Sequence, residues 1–190
     1  FVEAKIIFDG IAPVKASHGL TFHLGLWDRL AMYMGVEAVY YDLIDRPELI
    51  HAAMDRITNA TLHGIKMAND LKVHNEIANT CHCSYTYTDE LLPDFGMGKG
   101  STSNNSWAFG MAQLFSSTSP QVTEEFEIPY ISKLAEQFGM IYYGCCERLD
   151  DRLEIIKKIP NLKKISCSPW SNSEMFAEKI GKEQVMSYKP

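Results

Sequence analysis

From Trp107 to Tyr188 the chain alternates short apolar runs with helix-like stretches, and this alternation restricts its fold more than any other feature. Met140-Ile141-Tyr142-Tyr143, Leu162 to Ser166 and Val185 to Tyr188 read as strands, and Trp107 to Phe115 is apolar enough for a buried strand or a short helix. Ser119-Pro120 opens a helix closing near Gly139, with Ser as N-cap and Pro at the first helical position. Asp150 to Ile159 is a second helix stopped by Pro160, and Ser173 to Ile180 a third, capped by Ser173 and closed by Gly181. Strands separated by single helices pair in parallel, because each crossover must carry the chain back to the same end of the sheet. The fold class is therefore α/β. Parallel strands also finish at one edge, where α/β folds build their sites. Cys145, Cys146, Glu147, Arg148, Cys167 and Trp170 all follow strand ends and are expected on one face, with Cys81, His82 and Cys83 as candidates to join them.

The first half is less regular. Lys5-Ile6-Ile7-Phe8 reads as a β-like run stopped by Asp9-Gly10, and Leu24 to Met34 has helical spacing. Pro47 opens a helix reaching Leu71, with Leu49, Ala53, Ile57, Thr61, Ile65, Ala68 and Leu71 as its buried stripe. Val73 to Thr80 is expected as a strand, followed by a strand-like Tyr85-Thr86-Tyr87 alternation. Residues 96–106, rich in Gly, Ser and Asn, are expected to form a mobile loop, since they bury too little apolar surface to repay ordering. Their alternating glycines lack the preceding strand and the GK[ST] or GxGxxG pattern of a phosphate cradle.

With 190 residues the chain suits a single domain, but a complete (β/α)8 barrel takes about 250. No apolar run approaches membrane-spanning length, and no basic-then-apolar leader opens the chain. Acidic residues outnumber basic ones by 24 to 18 without a basic stripe, so neither nucleic acid nor membrane is expected as a partner. Five cysteines, an odd number, fit free thiols in a reducing cytoplasm better than a disulfide framework. The start at Phe1 and the stop just after a strand suggest a piece of a longer protein.

Chemistry concentrates at the strand ends. On extended backbone, C-x-C turns both thiols to one side, while adjacent Cys145 and Cys146 point apart. Cys81, Cys83 and Cys145 are candidate metal ligands for a tetrahedral zinc ion, or else small apolar residues packed at strand ends. Glu147 with Arg148 reads as a catalytic acid and its partner, or as a surface ion pair or a helix-start acid. His82, Tyr85 and Trp170 are candidates for binding substrate, with Trp170 either roofing a pocket or packing the rim. His18, His23, His51, His63 and His74 read as ordinary helix or loop residues.

Several ordered motifs resemble the uroporphyrinogen decarboxylase superfamily. They are Trp27-Asp28-Arg29-Leu30-Ala31-Met32-Tyr33-Met34-Gly35 with Asp45-Arg46-Pro47-Glu48-Leu49, then Ser119-Pro120, Glu124-Glu125-Phe126 and Pro129-Tyr130. Tyr143-Gly144-Cys145-Cys146-Glu147, Ile159-Pro160-Asn161-Leu162, Ser168-Pro169-Trp170 and Ser187-Tyr188-Lys189-Pro190 continue the series. The resemblance runs from about Thr21 onward and implies the middle and later part of a TIM barrel of the (β/α)8 type, completed by further chain or by association. It implies a decarboxylase acting on a carboxylated tetrapyrrole, or a methyltransferase acting on a methylated compound with a corrinoid protein as partner. For the decarboxylase, Tyr33 matches a pocket tyrosine, and Tyr33 with Arg148 would hold carboxylates and deliver a proton. In the methyltransferases a His-x-Cys at a strand end and a later Cys hold zinc; here Tyr143 stands where that His would be, leaving Cys145 as the thiol. Cys81-His82-Cys83 has no counterpart in the well-known members. The alternative is a non-catalytic ligand-binding relative or an inactive fragment.

Edge strands of a partial barrel leave backbone groups unpaired and invite association. Light scattering of this chain is expected to report a homo-oligomer; a monomer at every concentration would contradict that expectation.

Overall fold

The computed structural model describes residues 2–14, 19–74, 80–91 and 101–189. Its organising element is a four-stranded parallel sheet in the order β3 (Trp107–Gly110), β4 (Met140–Tyr143), β5 (Leu162–Cys167) and β6 (Val185–Tyr188), after the short hairpin strands β1 (Thr80–Cys81) and β2 (Ser84–Tyr85). The register aligns Phe109 with Tyr142, Tyr143 with Ile165, and Ile165 with Met186. Spatial neighbours are sequence neighbours, so each crossover steps the same way by one strand. The segment around His23 extends this order: the Leu24 N–H donates to the Phe109 carbonyl at 2.7 Å, and His23 bridges Phe109 in parallel.

The helices are α1 (Val2–Ile7), α2 (Leu26–Met34), α3 (Val36–Asp45), α4 (Pro47–Leu71), α5 (Pro120–Val122), α6 (Ile128–Ala135), α7 (Leu153–Ile156) and α8 (Ser173–Ile180). Strand side chains alternate between faces. Ala108, Ile141, Tyr143, Ile165 and Cys167 pack into the main core with α2, α4, α6, α7 and α8. Trp107, Phe109, Met140 and Tyr142 take the other face and pack with Cys81, Met111 and Cys145. The β1–β2 hairpin docks on that second face: Ser84 Oγ lies 2.8 Å from Ser187 Oγ, and Lys164 Nζ donates to the Tyr85 carbonyl at 2.6 Å. No helix among the described residues is long and apolar enough to cross a membrane.

Several expectations change. Lys5 to Ile7 belong to α1 rather than to a strand, and the Phe8 N–H continues the helical bonding to the Ala4 carbonyl at 3.0 Å. Helix α3 is an element absent from the expected order. In α4 the buried row is Ile50, Met54, Thr58, Ile65 and Ala68, while Leu49 and Leu71 are exposed. Apolar residues stand next to one another there, so periodicity admits two rows, and packing against α2 and α6 selects one. Val73 and His74 form isolated bridges, and the middle of the expected Val73–Thr80 strand lies outside the described residues. So does 96–100 of the expected mobile loop. Its remainder is built in: Ser101, Ser103 and Ser106 are buried, and the Asn69 side chain brackets Ser103 through bonds of 2.7 and 2.9 Å.

The helix expected over 150–159 shrinks to α7. Arg152 ahead of it is non-helical and buried, its guanidinium donating to the carbonyls of Phe115 and Thr118 and to Thr123 Oγ1 at 2.8–3.0 Å. Asn172, not Ser173, caps α8, accepting from the Met175 N–H at 3.0 Å. Between α5 and α6 the helix widens into a π turn, Thr123–Glu127. That turn buries Glu127 beneath the sheet, where the Tyr143 hydroxyl donates to its carboxyl at 3.0 Å. Burial pushes this acid up to about 8, only partly opposed by that hydrogen bond.

An acid whose value rises on folding from 4.5 to about 8 stays neutral in the fold while the unfolded chain ionises. Its contribution is complete below pH 4.5 and drains away as pH climbs to about 8. Glu127→Gln is expected to match the parent in urea unfolding near pH 4 and to exceed it, on the order of a few kcal/mol, at pH 8. Equal offsets at both pH values would refute this.

Candidate functional site

Beyond β4 the chain must leave the sheet, and Gly144 makes that exit. Its φ of +93° lies in the left-handed region, and an added Cβ would stand 2.6 Å from Leu149 Cδ1. The next residue is held from both sides of its backbone. The Cys145 N–H donates to Glu147 Oε2 at 2.7 Å, and its carbonyl accepts from Ser166 Oγ and from Lys189 Nζ, both at 2.8 Å. Lys189 is itself placed by the ladder, its backbone N–H bonding the Cys167 carbonyl at 3.0 Å. Neighbouring β5 and β6 thus fix a turn that belongs to β4.

The hairpin supplies the other half of the site. Its two-residue turn, His82-Cys83, needs a left-handed residue, and His82 takes φ +53°. The turn reverses the chain, so Cys81 points into the apolar layer against Trp107 and Phe109 while His82 and Cys83 reach over the strand ends. His82, Cys83 and Cys145 bring one nitrogen and two sulfur atoms within 4.8 Å of one another, with Cys145 Sγ 3.9 Å from His82 Nε2. Lys189 Nζ stands 2.8 Å from Cys83 Sγ, and the Tyr142 hydroxyl 3.5 Å from it. Phe109 forms the floor, its ring centroid 4.3 Å from that of His82 and 4.9 Å from that of His23.

The charges follow from these contacts. Burial pushes the Cys83 thiol up, but hydrogen bonds from Lys189 and Tyr142 and the Lys189 charge outweigh it and hold the thiol below its ordinary value. Burial pushes Cys145 up to about 12, reinforced by its contact with Cys146. Burial and the nearby Lys189 charge lower His82, keeping the imidazole neutral as a metal ligand must be. Burial also lowers His23, with His82 adding to the effect.

Of the residues singled out from sequence, His82, Cys83, Cys145 and Cys146 come together. Cys81 leaves the donor set, because the left-handed turn puts the two C-x-C thiols on different sides; burial pushes it up to about 12. Cys145 and Cys146 do not point apart: they lie on a bend rather than extended backbone, and their Sγ atoms are 3.5 Å apart. Glu147 turns under the strand end, lining a small cavity with Ala112, Tyr143 and Arg152, and its role is to hold the Cys145 N–H. Arg148 forks onto Asp150 at 2.8 and 3.0 Å, so the expected Glu147–Arg148 pair is not formed. Cys167 is buried on the helix face. Trp170 is 73% exposed and roofs nothing among the described residues, and Tyr33 is 81% exposed on the outer side of α2. Tyr85 stacks on Tyr87 at 5.7 Å and lines a cleft with Trp107, Met140 and Lys163, at the opposite ends of the strands.

His23, Tyr142 and Lys189 also belong to the site, beyond the residues expected there. Lys189 directly follows β6, so the strand-end argument applied to Cys145 reaches it as well. His23 carries no such signal, since its strand-like pairing exists only through Phe109. No family model, curated protein or solved structure matches this chain.

With Lys189 removed, the Cys83 thiol loses its main stabilising partner and rises. In Lys189→Met, the pH midpoint for iodoacetamide labelling of the Cys83 peptide is expected to move upward, and labelling at neutral pH to slow severalfold. An unchanged profile would show that the lysine does not act on this thiol.

Proposed function

We propose that this chain is part of a (β/α)8 barrel enzyme of the uroporphyrinogen decarboxylase-like superfamily, working as a corrinoid-linked methyltransferase on a small methylated substrate. The observation that carries this reading is the donor set of His82, Cys83 and Cys145 gathered at the carboxyl ends of the strands. Strand order supports the barrel, because a sheet whose every crossover steps one strand the same way is what a barrel requires. The decarboxylase arm finds less support: Tyr33 faces outward on α2 and Arg148 is engaged by Asp150, leaving neither to bind a substrate carboxylate. Free thiols at all five cysteines fit a reducing cytoplasmic setting.

The donors fit a zinc-class ion. Tetrahedral zinc with bonds of about 2.0–2.3 Å sets its ligand atoms about 3.5 Å apart, which the present atoms reach by small side-chain rotations. One imidazole and two thiols form the three-ligand set of a catalytic centre, with a fourth position left for substrate. Such an ion, when bound, would supply Lewis acidity to the substrate atom that carries the methyl group and so ease its departure as that group is transferred. Lys189 beside Cys83 offsets the negative charge of two thiolates, Phe109 holds the His82 ring, and the Glu147 bond fixes Cys145. Cys81, buried in the apolar layer, takes no part.

Purified protein is expected to hold close to one zinc per chain by atomic emission, falling to background in Cys145→Ser and in Cys83→Ser and unchanged in Cys167→Ser. Methylcobalamin formation from cob(I)alamin and a methylated donor should fall with the metal. Wild-type protein without zinc, or zinc that survives in the Cys83→Ser, Cys145→Ser double variant, would overturn the reading.

A further inference from the structure

Adjacent side chains on extended backbone point to opposite sides, yet the sulfur atoms of Cys145 and Cys146 lie 3.5 Å apart. The left-handed Gly144 and the bend over 145–147 turn them together, and three hydrogen bonds to the Cys145 backbone hold the bend. The two thiols differ in access, Cys146 being exposed and Cys145 buried. The third thiol of the cluster, Cys83, is already engaged by Lys189 at 2.8 Å and Tyr142 at 3.5 Å.

We propose that Cys145 and Cys146 form an oxidisable dithiol, a modification site for peroxides, and that its oxidation withdraws Cys145 from the metal-binding set. The first step falls on the accessible thiol. The Cys146 sulfur attacks one oxygen of hydrogen peroxide, the O–O bond breaks, the sulfur becomes a sulfenic acid, and the departing oxygen leaves as water with the thiol proton. The Cys145 sulfur then attacks that sulfenic sulfur; the S–S bond forms, the S–O bond breaks, and a second water leaves with the remaining proton. Two thiols and one peroxide thus give one disulfide and two waters. A disulfide bond of about 2.05 Å asks the two sulfur atoms to approach from their present 3.5 Å and closes an eight-membered ring whose Cα atoms, about 3.8 Å apart, lie under the usual disulfide span of about 4.4–6.8 Å, so the link is strained and readily reduced. Oxidation leaves His82 and Cys83 alone, too few ligands for a tetrahedral centre. This last consequence rests on the metal-centre reading; the oxidation itself does not.

The test treats the full chain, zinc-loaded, with equimolar hydrogen peroxide, alongside Cys146→Ser and Cys83→Ser. Intact mass, peptide mapping and a colorimetric zinc chelator give the readouts. The expected result is a loss of two hydrogens, a Cys145–Cys146 link within one tryptic peptide, and zinc release, all reversed by dithiothreitol. Cys146→Ser should keep its zinc at the same dose, and Cys83→Ser should still form the link. A Cys83–Cys145 link, a link between chains, or Cys146 carried only to sulfinic acid would each overturn the dithiol. If the link forms in protein that never takes up zinc, the metal reading falls and the dithiol stands. If zinc binds and stays with both thiols reduced, the dithiol falls and the metal reading stands.

Discussion

Parallel pairing of β3 through β6 is the constraint from which the site follows. Each parallel pair obliges the chain to cross through a helix, so all four strands run the same way and release their following residues at one edge. The ladder continues past the strands: the Gly144 N–H bonds the Gly110 carbonyl at 2.8 Å, and the Lys189 N–H bonds that of Cys167. Those bonds set where the Cys145 turn begins and where the Lys189 side chain originates. If the register slipped by one residue, every strand side chain would change face. Tyr142 and Ser187 would then leave the hairpin, and Tyr143 would leave Glu127.

The two faces of the sheet are specialised. One meets the helices and holds the larger core, including the buried Glu127, whose carboxyl is kept neutral by burial. The other carries aromatic and hydroxyl side chains beneath a small hairpin, and over its carboxyl edge lie two thiols, an imidazole and a lysine. Buried polar groups cost free energy unless bonded. The polar atoms of the Cys145 backbone are fully used, which makes the turn a rigid part of the site. Glu147 is a support of that turn, its Oε1 without a hydrogen bond among the described residues while Oε2 holds the Cys145 N–H.

Much of this is legible from residues alone, and the failures have physical causes. Strands β4, β5 and β6 and helices α4 and α8 follow from local apolar spacing and from Pro47 and Gly181, which act within a few residues. The adjacent thiols and the C-x-C pair depart from simple alternation because it holds only on extended backbone, and Gly144 and His82 both take positive φ. Glu147 and Arg148 do not form the pair that their adjacency suggests, because each has a nearer partner within its own turn, Cys145 N–H for one and Asp150 for the other. His23 has no local signal for the site, because its place beside His82 depends on a bridge to Phe109, far away in the chain.

By itself the sequence determined the alternation of strands and helices, hence a parallel sheet and the edge at which Cys145, Cys146 and Lys189 emerge. Periodicity and turn chemistry are local, and backbone hydrogen bonding then leaves few ways to combine them. Only the tertiary structure decided which of those side chains face one another. That choice rests on the Ser84–Ser187 contact that docks the hairpin, the Lys189 bond to the Cys145 carbonyl, and the sense of two left-handed residues. Each joins groups distant in sequence or turns on a single backbone angle, and neither kind of information repeats along a chain.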